Sequence, residues 1–204
     1  LTKLIVRRLG EMKAAGYSDL LFHVFQNADD VYLRAEAILA LGRTADPDYA
    51  DDIALFLRNL NLNIDLEAQD KDSEVLALSA VLALERFRQP VGFTPLFFAS
   101  IGWYSKISTV RQQAERVLDT LVNDPTEMLK GLVRLESEYA VKLEALEVAN
   151  RSQAPDPGKA AVATEAIRQG LINEPANPSE QSTLGRLRQL GLEMLIAYGP
   201  AGTG

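Results

Sequence analysis

The feature that most constrains this chain is an internal recurrence. The stretch "LRAEAILALGRTADP" begins at Leu33, and a shift of 43 residues finds it again as "LALSAVLALERFRQP" from Leu76. Leu33 falls on Leu76, Ala37 on Ala80, Leu39 on Leu82, Ala40 on Ala83, Leu41 on Leu84 and Pro47 on Pro90. A shift of 77 gives a fainter copy, "VRQQAERVLDTLVNDP" from Val110, in which Arg34 falls on Arg111, Ala37 on Ala114 and Leu41 on Leu118. Self-similarity at roughly 30 to 45 residues marks architectures built by stacking one supersecondary unit.

The punctuation between copies makes the units helical. Asp46-Pro47 reads as an N-cap and a first helical position, because proline lacks only an N–H that would have no partner there. Thr94-Pro95 and Asp124-Pro125 repeat the device, Glu127 stands where a capping box places its acid, and Ser179 after Pro178 can cap the last helix. No sustained alternation of apolar and polar residues argues for strands. The pattern predicts ten helices, at about 2–15, 18–27, 31–43, 47–60, 73–87, 94–103, 108–122, 125–150, 159–172 and 179–198. Short connections predict antiparallel neighbours. Residues 61–72 read as an acidic insertion within a repeat, and 150–158 and 173–178 as proline-bearing linkers.

The apolar faces differ from helix to helix. Around Leu33–Leu41 only Arg34 and Glu36 are polar, and around Val75–Leu84 only Ser79. Helices apolar on nearly all sides must be covered on several sides, so these two are expected inside a stack. The third copy instead carries one stripe, Val110, Ala114, Val117, Leu118 and Leu121, and is polar elsewhere. A helix over 125–150 would be roughly 39 Å long, with Met128, Leu132, Leu135, Tyr139, Leu143 and Leu146 in line and Glu138 paired with Lys142 on the other side. Residues 131–198 then read as a helical cap on the repeats of 1–130. Leu184, Leu187, Gly191, Met194, Leu195 and Tyr198 form its last stripe, and 199–204 a flexible tail.

The pattern Leu/Val-Arg-x-x-Ala-x-x-Ala/Val-Leu, followed by an Asp-Pro turn and another apolar helix, resembles the HEAT repeat. It is most similar to the short HEAT-like subtype of bacterial proteins. The resemblance covers Tyr17 to Lys130 and divides it into the hairpins Ser18–Arg43, Pro47–Phe87 and Thr94–Val122. It implies an all-α fold, a right-handed α-solenoid of antiparallel hairpins. It also implies a ladder in which a turn Asp meets the Arg that opens the second helix. Asp29 or Asp30 with Arg34 fits that ladder; Ala77 replaces the second Arg, and Ser and Thr replace the acid before Arg111.

Function follows less directly. The net charge of −7 opposes nucleic-acid binding, which draws its affinity from clustered Lys and Arg. The absence of cysteine removes disulfides and thiolate metal sites. No apolar run is long enough to insert in a membrane, and no leader is recognisable, although one already removed would leave no trace. The compartment, cytoplasmic or exported, stays open. His23, the only histidine, lacks a partner for acid–base or metal chemistry and is expected to be a partly buried structural residue. Asp46, Asp48, Asp51 and Asp52, and the group Asp65, Glu67, Asp70, Asp72 and Glu74, lack the spacing and turn glycine of a calcium loop and read as solvated acidic surface. Arg86 with Arg88, and Arg186 with Arg188, read as solvated faces or helix C-terminal charge. No phosphate loop, nucleophile elbow or cofactor motif is present.

The strongest contact candidate is "SIGWYSKIST" from Ser100. It sets Trp103, Tyr104 and Lys106 in a turn, with Arg111 and Gln112 on the polar helix that follows. Trp103 folding back to plug a gap between repeats is the structural reading set against that contact, and a place in a ligand pocket is the third. The resulting expectation is a non-catalytic protein–protein interaction scaffold without cofactor or metal, whose acidic surface suits a partner with a basic one. Two alternatives stand beside it: an enzyme of the bilin lyase type, a class that also contains HEAT-like repeats, and a purely structural segment of a larger assembly. HEAT-like DNA glycosylases would need a basic groove, which the net charge opposes.

Overall fold

The computed structural model describes residues 1–13, 15–63, 71–102, 108–172 and 174–200. Among the described residues it is all helical, with eleven α-helices and no strand. The chain divides into two compact units, Leu1–Val122 and Asn123–Gly204.

The first unit contains α1 (Thr2–Glu11), α2 (Ser18–Asn27), α3 (Val31–Thr44), α4 (Ala50–Leu62), α5 (Lys71–Phe87), α6 (Phe93–Gly102) and α7 (Thr109–Leu121). Helix α2 packs on α3, α4 on α5 and α6 on α7, the three expected pairs. Beyond its pair, α3 touches α1 and α5, and α5 touches α3 and α7. Both are therefore covered on three sides, as their nearly all-apolar faces require. The stripe on α7 is buried at all five expected positions, while Gln112, Arg116 and Asp119 are exposed.

Two glycines permit the closest approaches. A methyl group on Gly10 of α1 would lie 2.7 Å from the Cα of Ala40 on α3, and one on Gly42 of α3 would lie 2.6 Å from the Cα of Ala83 on α5. The same Gly-on-Ala contact thus joins successive helices of the row. The row also ends alike. Lys13, Ala45 and Arg88 follow α1, α3 and α5 with φ of 49°, 54° and 52°, the only non-glycine residues at positive φ among those described. Each turns its amide N–H back onto a carbonyl of the helix it ends: Gly10, Leu41 and Leu84.

Asp46 caps as its spacing predicts. Its carboxylate accepts from the amide of Asp48, and Pro47 opens a short 3₁₀ turn before α4. The expected ladder does not form. The Asp30 carboxylate accepts from the Leu33 amide instead, and Arg34 Nε donates to the Phe25 carbonyl at 3.0 Å. The guanidinium of Arg34 lies over the Phe25 and Phe56 rings. Arg34 therefore ties the end of α2 to α4 through a carbonyl and two aromatic faces.

The second unit contains α8 (Thr126–Leu135), α9 (Tyr139–Arg151), α10 (Asp156–Ile172) and α11 (Pro178–Tyr198). The single helix expected over 125–150 is two helices, broken at Glu136–Glu138, both of which are extended. The break lets α8 and α9 pack against each other and both against α10. It leaves Leu135, expected in the stripe, 76% exposed, and buries Leu129 and Val133 instead. Lys142 is not paired with Glu138. It is buried, and its Nζ donates to the Val133 carbonyl at 2.6 Å and to Gln169 Oε1 at 3.3 Å, so α9 closes the end of α8.

Capping in this unit follows the sequence in part. The Asp124 carboxylate accepts from the amide and hydroxyl of Thr126. Glu127 pairs with Lys130 rather than closing a capping box. The cap of α11 is Asn177, not Ser179: its Oδ1 accepts from the Glu180 amide, with Pro178 in the first position and Glu180 returning a bond to the Ala176 amide. On α11, Leu184, Leu187, Gly191 and Met194 are buried as expected, together with Leu190.

Candidate functional site

Of the five residues expected to contact a partner, Trp103, Tyr104 and Lys106 lie outside the described residues. Arg111 and Gln112 stand in the first turn of α7. Ser108 caps this helix by accepting from the Arg111 amide. The Arg111 side chain is half-buried and its Nε donates to Glu115 Oε1 at 3.2 Å, so its charge is engaged on its own helix. Gln112 is exposed and faces solvent. The structure thus leaves Gln112 open to solvent and holds Arg111 as a positioned, partly neutralised cation.

His23 is exposed rather than partly buried, one turn from Asn27, whose amide nitrogen lies 3.2 Å from Nδ1 and also donates to the His23 carbonyl. Helix α2 turns Leu21 and Phe25 inward, which rotates position 23 outward. Asp51 and Asp52 are exposed in the first turn of α4. Asp65, Glu67 and Asp70 lie outside the described residues, and Asp72 and Glu74 open α5. Among the described residues no three His, Asp or Glu side chains are grouped as a metal site requires.

Near these carboxylates, Tyr49 donates its hydroxyl to Asp19 Oδ1 at 2.5 Å. That bond, together with burial and the Asp19 charge, pushes the phenol up to about 12.

Two polar arrangements were not singled out in the sequence. Glu36, the one acid on α3, is buried and held by two cations. Arg7 reaches it from α1 through both Nε and Nη2, at 3.2 and 2.8 Å, and Arg43 reaches it along α3 at 3.1 Å. The hydrogen bonds from Arg7, with Arg43 assisting, hold its carboxyl below the usual range against the opposing effect of burial. The signal was present as the one acid inside an apolar run, but its partner lies 29 residues away.

The second arrangement is an open groove of about 610 Å³ at the C-terminal ends of α1, α3 and α5. It is lined by Lys13, Arg43, Arg86 and Arg88 with Glu11 and Glu85, and by Gly10, Gly42 and Ala45. Its charged residues come from three helix ends far apart in the chain, so the sequence shows only the local pair Arg86 and Arg88 and not the groove they share with Lys13 and Arg43.

Comparison with protein-family models, with curated proteins and with solved structures finds no match for this chain.

Proposed function

We propose that this protein is a non-catalytic protein-binding scaffold whose first unit is a right-handed, HEAT-like α-solenoid. The observation that supports this reading is the recurrence at matched positions along α1, α3 and α5. The Gly10–Ala40 contact is repeated as Gly42–Ala83, and the left-handed caps at Lys13, Ala45 and Arg88 close each helix alike. Repeats joined through identical contacts form a stiff frame, and frames of this kind present surfaces rather than reaction centres. The first turn of α7, with Gln112, and the Trp103–Tyr104 stretch that precedes it in the sequence are the contact point of this reading. The exposed acids that open α4 suit a basic patch on the partner.

The test replaces Gln112 with a photo-crosslinking amino acid in the full chain and irradiates it in a lysate of the native host. One protein captured reproducibly, and lost when Trp103 and Tyr104 are both changed to Ala at unchanged melting temperature, is the expected result. A retained small molecule or pigment with no captured protein would overturn the scaffold reading in favour of a lyase-type enzyme.

A further inference from the structure

The groove at the ends of α1, α3 and α5 has a charge opposite to that of the chain. Four cations and two acids line it, a formal +2 in a chain whose net charge is −7. Both acids are engaged by cations outside the lining: Glu11 with Arg8 at 2.7 Å and Glu85 with Arg116 at 3.5 Å. Of the four cations only Arg43 has an ion pair, with the buried Glu36. Lys13, Arg86 and Arg88 have none with any described residue, and all three are exposed.

The bland role for such cations is to complement helix dipoles, since three helices end here. That role accounts for only part of the charge. A helix end carries roughly half a charge, and the left-handed caps already occupy the carbonyls of Gly10, Leu41 and Leu84. The Leu41 carbonyl also accepts from Thr44 Oγ1. Asp46, next to the lining residue Ala45, directs its carboxylate to the Asp48 amide and is not part of the lining.

We propose that this groove receives an acidic segment of a partner protein, with Lys13, Arg86 and Arg88 facing its carboxylates. The proposal rests on the scaffold reading and adds a second contact surface of opposite sign. Six of the nine lining residues are charged, and the groove is open. Small-molecule sites are enclosed and mostly apolar, so an extended chain bearing its own charges fits these walls better. The rigid Gly10–Ala40 and Gly42–Ala83 contacts hold the three helix ends in register, so the cations are presented at fixed spacing.

The test measures fluorescence anisotropy of a fluorescein-labelled Glu-Ala repeat peptide with the full chain at low salt, beside a Gln-Ala peptide. The groove variant combines Arg86→Glu with Arg88→Asn; asparagine is chosen because it tolerates the positive φ at that position. The control combines Arg58→Glu with Arg186→Gln, the same charge change at exposed positions elsewhere. Binding of the acidic peptide alone, weakened at least about tenfold in the groove variant and less than about twofold in the control, is expected. Equal weakening in both variants, no binding of the acidic peptide, or its full displacement by inorganic phosphate would each overturn the proposal. A groove variant whose helical circular dichroism is lost is replaced by Arg86→Gln with Lys13→Asn, set against Arg58→Gln with Arg186→Gln and read by the same criteria. Crosslinking from position 112 separates the two readings: capture that persists while the acidic peptide fails to bind removes the groove and leaves the scaffold.

Discussion

Glu36 shows how a single residue can carry an inter-helix contact. Burying a carboxylate is unfavourable unless it is paired and hydrogen-bonded, and here three donor atoms from two arginines meet it. Glu36→Gln keeps the shape but removes the charge, and is expected to lower stability by about 1–3 kcal/mol, measured by urea unfolding at pH 7. Because the folded carboxyl lies below its ordinary value of 4.5, its contribution is complete above that pH and is lost as pH falls through the lowered folded value. The variant should therefore show a shallower loss of stability on acidification than the parent; an identical acid profile would remove Glu36 as a source of that dependence.

Lys142 has the opposite sign. Burial lowers its pKa from 10.5, with Glu165 and Glu136 opposing. The unfolded chain then binds more protons between the folded value and 10.5, so the penalty is complete at neutral pH and is relieved as pH rises through that window. Lys142 is 3% exposed. It is expected to be the slowest described lysine to react with an acylating reagent in the native protein, read by peptide mass spectrometry. Labelling as fast as at exposed Lys3 would contradict its burial.

At the scale of the element, the joints between α1, α3 and α5 depend on having no side chain at Gly10 and Gly42. Gly42→Val sets branched atoms against the Ala83 backbone, which cannot yield as a side chain tip would. It is expected to cost about 1–3 kcal/mol or more through overpacking. Gly185 of α11 has nothing within 4 Å of an added methyl group. Gly185→Ala should stabilise by roughly 0.5–1 kcal/mol through helix propensity and reduced freedom of the unfolded chain. Thermal unfolding of both variants checks the pair, and a Gly42→Val protein as stable as the parent would rule out the tight joint. The element scale is also where the long helix fails. Met128, Leu132, Leu135, Tyr139, Leu143 and Leu146 share one helical face on paper. That spacing cannot reveal that a buried lysine from 142 closes the carbonyl end at Val133.

At the scale of the molecule, Leu1–Val122 and Asn123–Gly204 each have their own buried core. The fragment 123–200 is therefore expected to fold alone, with helical circular dichroism and a cooperative thermal transition. A fragment without a cooperative transition would show that its core is insufficient by itself. What the sequence determined is what repeats locally: helix number among the described residues to within one, the three hairpins, the buried stripe of α7 and the cap at Asp46. These depend on periodicity and on residues within one turn of each other, so a linear reading finds them. What only the tertiary structure decided depends on distance in space. Arg34 meets the Phe25 carbonyl and two rings instead of an aspartate. Glu36 finds Arg7 across 29 residues. Three helix ends bring Lys13, Arg43, Arg86 and Arg88 around one groove. Each of these polar partners could have been satisfied by water or by a nearer group, so the sequence leaves the choice open until packing brings one of them within reach.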